Sequence, residues 1–296
     1  MRRVIVLGAV MAVAALSLMA AAFQAPQQGA KVAEISKVKD NLYLLTGGGG
    51  NTAIFVTEKG VVVVDTKLAG WGQAILDKIK TVTDKPVSMI INTHTHADHT
   101  GSNDFFGTAV EAVVQENTKS NMEKMDAFKG DNAKFLPKKT FKDKMSVLTG
   151  KDRIDLYYFG RGHTSGDAFV VFPALEAMHA GDMFAGKGMP FIDTRNGGSG
   201  ADFHQTLAKA VSGISNVETV ITGHSTPMTW NDFKEFAAFH KDFFDWAKAQ
   251  QQAGKTVDAA AASYQVPEKY RGYTVSRDGR GSAKGALQAI YEDLKK

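Results

Sequence analysis

The stretch INTHTHADHTG, Ile91 to Gly101, follows an apolar run and sets His94, His96, Asp98 and His99 within six positions. Histidine is sparse in the chain as a whole, 8 in 296 residues, so this density asks for a chemical reason. In an extended segment residues two apart share a face, which lets His94 and His96 chelate one cation together. Asp98 and His99 are adjacent and diverge, so they reach toward a second ion beside the first. Such ions need further donors, and those must come from elsewhere in the chain.

Working outward, VSMII before the histidines reads as a buried strand. Upstream, VVVVD (Val61 to Asp65) is apolar throughout, the pattern of a strand covered on both faces. Before it, short β-branched runs are separated by turn signals at Lys39-Asp40-Asn41, Gly47 to Asn51 and Glu58-Lys59-Gly60. Ile75, Leu76 and Ile79 have helical spacing between Gly72 and Thr81. A strand is expected over Ala109 to Val114, a polar helix over Asn117 to Phe128, and a solvated loop at the basic PKKTFKDK, Pro137 to Lys144.

The second half repeats this alternation. DRIDLYYFGRGH is a strand entering a loop, AFVVFPALEAMHAGD a hairpin, and VETVITGH again a strand that ends in histidine. Helices are expected at Ala201 to Ser212, Thr229 to Gln252 and Ala283 to Leu294, with an Ala-rich turn between the last two. Strands mixed with helices on both sides indicate a layered α/β sandwich. No repeat and no linker divides it.

Polar residues recur where strands end: His94 to His99 after Asn92, His163 after Phe159, Asp182 after His179, His224 after Thr222. In open α/β folds, ligands bind beyond the carboxyl ends of strands, where loops bring distant residues together. Five imidazoles and two carboxylates can fill two four- or five-coordinate sites with room for water. Nitrogen and oxygen donors without thiolate suit zinc first, with iron or manganese as alternatives. The other histidines read differently. His240 lies on an apolar helix stripe, His204 on a helix surface or cap, and His179 in the core.

The bulk properties set the compartment. MRRVIVLGAVMAVAALSLMAAAFQA has a basic start, an apolar stretch and small residues at Ala20 to Ala22, the layout of a secretory signal peptide over 1–22. The mature protein is then exported, periplasmic or secreted, without stable membrane association. It contains no cysteine, so core burial or metal must stabilise it. The formal charge is +4, and about +2 once Arg2 and Arg3 leave with the signal. That is too small for an electrostatic case for nucleic acid, and a small-molecule substrate is expected instead.

With THTHADHTG, GHTSGD, HAGDMF and TGHS in this order, and GVVVVDT upstream, the chain resembles the metallo-β-lactamase-fold hydrolases from Val32 to Ser225. The resemblance implies a four-layer αββα sandwich over 32–228, with 229–296 as a helical extension packed on it. It implies that His94, His96 and His163 hold one metal and Asp98, His99 and His224 the other, two zinc ions per chain, with Asp182 bridging. Asp65 would steady the histidine motif. TGGGGNT, Thr46 to Thr52, would be a mobile loop over the cleft, Trp71 an aromatic wall and Asn196 a polar contact.

Two metals about 3.5–4 Å apart can share a hydroxide and polarise a carbonyl or phosphoryl oxygen. Asp98 would orient that hydroxide or move its proton. Two divalent ions outweigh the charges of two aspartates and one hydroxide, which favours anionic substrates. The common zinc β-lactamases, however, have Cys at the place of Asp182 and Lys three residues later, where this chain has Ala185 and only Lys187 nearby. An aspartate bridge is typical of the glyoxalase II, lactonase and phosphodiesterase branches. The expected activity is hydrolysis of a cyclic amide or ester of β-lactam or lactone type. Thioester or phosphodiester hydrolysis and a mononuclear-iron persulfide oxidation are the alternatives.

Overall fold

Val61 to Val64 are all buried, yet they face two different cores. Successive side chains of a strand point to opposite faces. Val62 and Val64 accordingly join one apolar cluster, while Val61 and Val63 join another. The strand therefore sits inside the molecule with layers above and below, as its unbroken valines require. The computed structural model describes residues 31–295; the expected signal segment, 1–22, lies outside the described residues.

The first sheet runs in sequence order through β1 (Glu34–Lys39), β2 (Leu42–Thr46), β3 (Thr52–Val56), β4 (Val61–Val64), β5 (Val87–Ile91), β6 (Glu111–Gln115) and β7 (Lys139–Phe141). Pairing is antiparallel from β1 to β4 and parallel from β4 to β7. Three helices accompany it: α1 (Gly72–Ile79), α2 (Ala97–Thr100) and α3 (Glu116–Met122). The parallel connection from β4 to β5 passes through α1, whose Ile75 and Ile79 pack on Leu45, Ile54, Val61 and Val63.

The second sheet contains β8 (Lys144–Val147), β9 (Ile154–Tyr157), β10 (Phe169–Phe172), β11 (Ala177–His179), β12 (Thr219–Ile221) and β13 (Met228–Thr229), in the order β13-β12-β11-β10-β9-β8. Its inward residues Leu156, Val170, Phe172 and Ile221 meet Leu44, Phe55, Val64 and Ile91 of the first sheet. Its outer face is covered by α4 (Gly200–Gly213), α5 (Trp230–Gln252), α6 (Val257–Ser263) and α7 (Ala283–Asp293). The four layers are the αββα sandwich expected.

Helix α5 starts at a capping box in which Thr229 and Asp232 satisfy each other's backbone N–H groups, the arrangement that fixes a helix N-terminus. Its Phe233, Phe236, Phe239 and Phe243 are buried against Phe169, Phe184 and Phe203, while Phe244 and Trp246 are half-buried.

Four local expectations are corrected. The basic stretch Pro137 to Lys144 is not a solvated loop: it contains β7, with buried Phe141, and the first residue of β8. The segment thus crosses from one sheet to the other, with its lysines at the edges. The Ala-rich turn is α6, capped by the Thr256 hydroxyl. The helix expected to Phe128 ends at Met122 and continues as short 3-10 turns. His204 is no surface residue; it is 8% exposed and stacks on Phe244 with ring centroids 4.1 Å apart.

Candidate metal centre

The donor residues gather where β5, β9, β11 and β12 end, which is where the chain leaves regular pairing and can aim side chains inward. Asp65 follows β4 with φ of 65°, a left-handed conformation that Asp tolerates better than most residues. Its buried carboxylate accepts from Thr93 N at 2.8 Å, Thr93 Oγ1 at 2.7 Å and His99 Nδ1 at 2.7 Å. Asn92 adds a bond from Nδ2 to the His99 carbonyl at 3.0 Å. The first histidine motif is thereby tied to the end of β4 from both directions.

Two donor groups result: His94, His96, His163 and Asp182 in one, and Asp98, His99 and His224 in the other, each with its donor atoms within 4.8 Å of one another. Asp182 lies between them. Its Oδ2 is 3.5 Å from His163 Nε2 and 4.0 Å from His94 Nε2, while Oδ1 is 3.2 Å from His224 Nε2 and 3.4 Å from His99 Nε2. Asp98 Oδ2 is 3.4 Å from His224 Nε2 and 3.6 Å from His99 Nε2. All seven expected donors, and Asp65 behind them, are brought together.

The orientation of the imidazoles shows that the set fits metal. His99 Nδ1 faces Asp65, His96 Nε2 faces Asp193 Oδ2 at 2.8 Å, His163 Nδ1 faces the Phe191 carbonyl, and His94 Nδ1 faces the Thr93 hydroxyl at 3.0 Å. Thr93 Oγ1 already donates to Asp65, so it accepts from His94. With one nitrogen of each ring donating outward, the other carries a lone pair, and those lone pairs converge. His96 Nδ1 and His163 Nε2 stand 2.9 Å apart, and His99 Nε2 and His224 Nε2 3.3 Å apart. His94 Nε2 is buried without a hydrogen-bond partner, an arrangement that costs free energy unless a cation satisfies it.

Electrostatics divide the donor set: in the absence of a cation two rings are held neutral and one is held charged. Burial, reinforced by His99, pushes the His94 imidazole well below its ordinary range, and burial takes His163 down to about 4. Both are neutral at pH 7, as ligands must be. For His99 burial works against charge, but the Asp182 and Asp65 carboxylates outweigh it and raise the ring well above its ordinary range. Asp182, despite a burial effect that raises it, is held well below the usual carboxylate range by His99 and His224. The centre draws positive charge to the face shared by His99, His224 and Asp182.

Small residues permit this crowding. A Cβ on Gly223 would lie 2.0 Å from Asp182 Oδ1, and one on Gly50 2.2 Å from the His99 ring. TGGGGNT is accordingly packed against the centre, with Gly50 N donating to the Asp98 carbonyl at 3.0 Å. The fully buried Lys67 ammonium donates to the carbonyls of Leu45 and Gly50 at 2.9 Å each. Close backbone approach is thus a sufficient reason for the glycines.

The centre opens into a cleft of about 300 Å³ lined by Asp98, His163, Asp182, Ala185, Met189, Phe191, His224, Arg280 and Gly281. Trp71 is not in this lining. Its indole covers Gly48 and packs with the apolar cluster of α1. Asn196 is also outside it, donating through Nδ2 to Asp193 Oδ2 at 2.8 Å. Sequence reasoning missed Asp193, which orients His96, and Phe191. The only local hint is an Asp three residues before Asn196. His179 is buried, as expected, and its Nδ1 accepts from Gly181 N at 3.0 Å, fixing the turn that presents Asp182.

Two facing sheets with helices outside, and nitrogen and oxygen donors converging beyond their strand ends, define an αββα sandwich with a candidate metal centre at its edge. The model of the metallo-beta-lactamase superfamily matches residues 45–224, and the chain belongs to that superfamily. It is 29% identical over 215 residues to metallo-beta-lactamase type 2 of Elizabethkingia meningoseptica, covering 67% of this chain and 80% of the relative. It is 28% identical over 196 residues to a hydroxyacylglutathione hydrolase of Crocosphaera subtropica, covering 64% of each. Among solved structures, the DIM-1 metallo-beta-lactamase superposes with a TM-score of 0.60 at 19% identity, covering 71% of this chain and 97% of that one. The sec-alkylsulfatase Pisa1 of Pseudomonas sp. superposes with a TM-score of 0.71 at 16% identity, covering 88% of this chain and 50% of the sulfatase. At such identities these two structures share the fold alone.

Proposed function

We propose that this chain is an exported hydrolase that binds two zinc ions and opens a cyclic amide or ester of β-lactam or lactone type. The observation that carries the reading is Asp182, with one carboxylate oxygen turned toward each donor group. Similarity to a curated metallo-beta-lactamase supports the reaction class. A pair of zinc ions would supply a water-derived nucleophile at neutral pH and polarise the scissile carbonyl.

His94, His96 and His163 would hold one ion and Asp98, His99 and His224 the other, with the rings of His94, His96, His99 and His163 each fixed by an outer hydrogen bond. Asp98, with 27% of its side chain exposed at the cleft, would also orient the attacking group and carry its proton to the leaving group. Asp65 and Asp193 would keep His99 and His96 in the ligating tautomer. Met189 and Phe191 would form the apolar side of the substrate site. Export rests on the reading of residues 1–22, and no helix among the described residues is long and apolar enough to cross a membrane.

The test is turnover of a chromogenic cephalosporin by zinc-loaded mature protein, with a chelator control and a metal count. Chelator-sensitive kcat/KM of at least about 10⁴ M⁻¹s⁻¹ lies in the range of real enzyme–substrate pairs and supports the β-lactam reading. Absence of that turnover with lactone hydrolysis present moves the substrate to the ester side. The presence of Asp182, and the hydroxyacylglutathione hydrolase relative, make thioesters and then phosphodiesters the next substrates to assay. One iron per chain with oxygen uptake in place of hydrolysis overturns the reading in favour of persulfide oxidation; manganese in place of zinc changes only the ion.

A further inference from the structure

Zinc alone does not choose among anionic and neutral substrates, and the cationic side chain nearest in sequence to Asp182 is already engaged. Lys187 Nζ is 2.7 Å from Asp232 Oδ1 and 3.1 Å from Glu235 Oε1, which secures it to α5. A different cation lines the cleft. Arg280 stands beside Asp98, His163, Asp182 and His224 in the wall of the metal-side cleft. It comes from a segment beyond the family match, which ends at residue 224.

The loop that carries Arg280 is built to hold it there. Ser276 and Ser282 pair across its base, and Ala283 N donates to the Ser276 carbonyl at 2.9 Å. Glycines on both sides of Arg280, with φ of 100° at Gly279 and 66° at Gly281, turn the chain sharply in a conformation that favours glycine. Just upstream, Thr274 pairs with Gly188, next to Met189 of the cleft wall. The guanidinium then lies over the Phe191 ring at 4.1 Å from its centroid. Phe191 in turn packs on His96 and His163, at centroid distances of 6.0 and 5.9 Å.

Stacking on an aromatic face fixes the plane of a guanidinium while leaving its N–H groups free. No carboxylate among the described residues lies within 4.0 Å of Arg280; its neighbours Arg277 and Lys284 pair with Asp278 and Asp258. Arg280 also borders a second cleft of about 240 Å³, sharing Phe191 and Gly281 with the first and continuing along Thr194, Gln288 and Glu292. Glu292 is engaged by Gln288 at 3.2 Å. A positioned, unpaired guanidinium thus stands at the junction of the metal-side cleft and an outer groove.

We propose that Arg280 is the substrate-anchoring residue of this enzyme, binding a carboxylate on the substrate through paired N–H donors while the bond to be cleaved lies over the histidine–aspartate centre. The inference rests on the hydrolase reading above and names its substrate class: carboxylate-bearing molecules long enough to reach into the outer groove. A bidentate guanidinium–carboxylate pair supplies geometry as well as charge, so Arg280 selects both the substrate and its orientation.

The experiment compares wild type with Arg280→Ala and Arg280→Lys, all zinc-loaded, on a chromogenic cephalosporin acid and its methyl ester. The acid-to-ester ratio of kcat/KM is expected to fall roughly 10–100-fold in Arg280→Ala, the loss of a charge-assisted hydrogen-bonded pair, with partial recovery in Arg280→Lys. In parallel, calorimetric titration with 4-nitrobenzoate and with 4-nitrobenzyl alcohol reads anion binding without turnover. Selective weakening of the acid in Arg280→Ala supports the assignment. Equal weakening of both probes, or a wild type that does not distinguish them, overturns it. If neither cephalosporin is turned over, the β-lactam reading fails separately, and the titration alone decides the role of Arg280.

Discussion

The Asp65 carboxylate and the His99 imidazole meet at 2.7 Å, both fully buried, and this bond determines which nitrogen of His99 faces Asp182 and His224. Asp65→Asn should therefore weaken zinc binding by about 10–100-fold, the usual consequence of losing a hydrogen-bond partner behind a metal ligand. Competition with a chromogenic chelator measures it, and unchanged affinity would remove Asp65 from the centre's support.

Asp98 is partly exposed at the cleft and bears less on the fold than Asp65 does. Asp98→Asn should keep the far-ultraviolet dichroism of the wild type and lower kcat by roughly 10²–10⁴-fold, the range for a positioned proton-transfer group. Turnover at the wild-type rate would sink the role assigned to this carboxylate.

Gly223 and Gly50 are tests of packing. Neither has the left-handed φ that would strain a side chain, so the effect of Gly223→Ala or Gly50→Ala comes from space: contacts of 2.0 Å with Asp182 and 2.2 Å with His99. Overpacking of this kind costs about 1–3 kcal/mol. Thermal unfolding of the metal-free proteins should show that loss, and zinc affinity should fall with it.

Zinc should stabilise the fold by mass action. At a free concentration 100-fold above Kd, one ion adds about 2.7 kcal/mol, a rise in Tm of about 5–10 °C for a chain of this size. Excess chelator should reverse it; an unchanged Tm would mean that the histidine–aspartate cluster holds no metal.

His240 separates acid sensitivity of the core from that of the centre. Burial among Phe203, Phe236 and Phe239 pushes its imidazole down to about 3. The unfolded chain takes up a proton at pH about 6.5 while the folded chain does not, so stability is lost as pH falls from about 6.5 toward 3. By pH 4.5 this site alone should cost roughly 2–3 kcal/mol. His240→Leu should flatten the pH dependence of urea unfolding in that window; an unaltered slope would place the acid sensitivity elsewhere.

The sequence by itself determined the layers and the donor set. Unbroken valines at 61–64 demand cover on two sides, and candidate donors at strand ends are legible because a pair such as His94 and His96 is close in the chain. The short helices and the β7–β8 crossing were less legible. Lysines at sheet edges look like those of a loop, and the burial of Phe141 depends on pairing with Gln115, 26 positions away, and on the facing sheet. Only the tertiary structure decided what surrounds the donors: Asp193 behind His96, the Phe191 carbonyl behind His163, Trp71 and Asn196 turned away from the cleft, and Arg280 turned into it. Those relations join residues that share no periodicity, across loops whose courses are set by sheet pairing and by the packing of α5 and α7. Ligand chemistry is local to the chain and can be read along it; the choice of substrate lies in the space between segments, which exists only once they are packed.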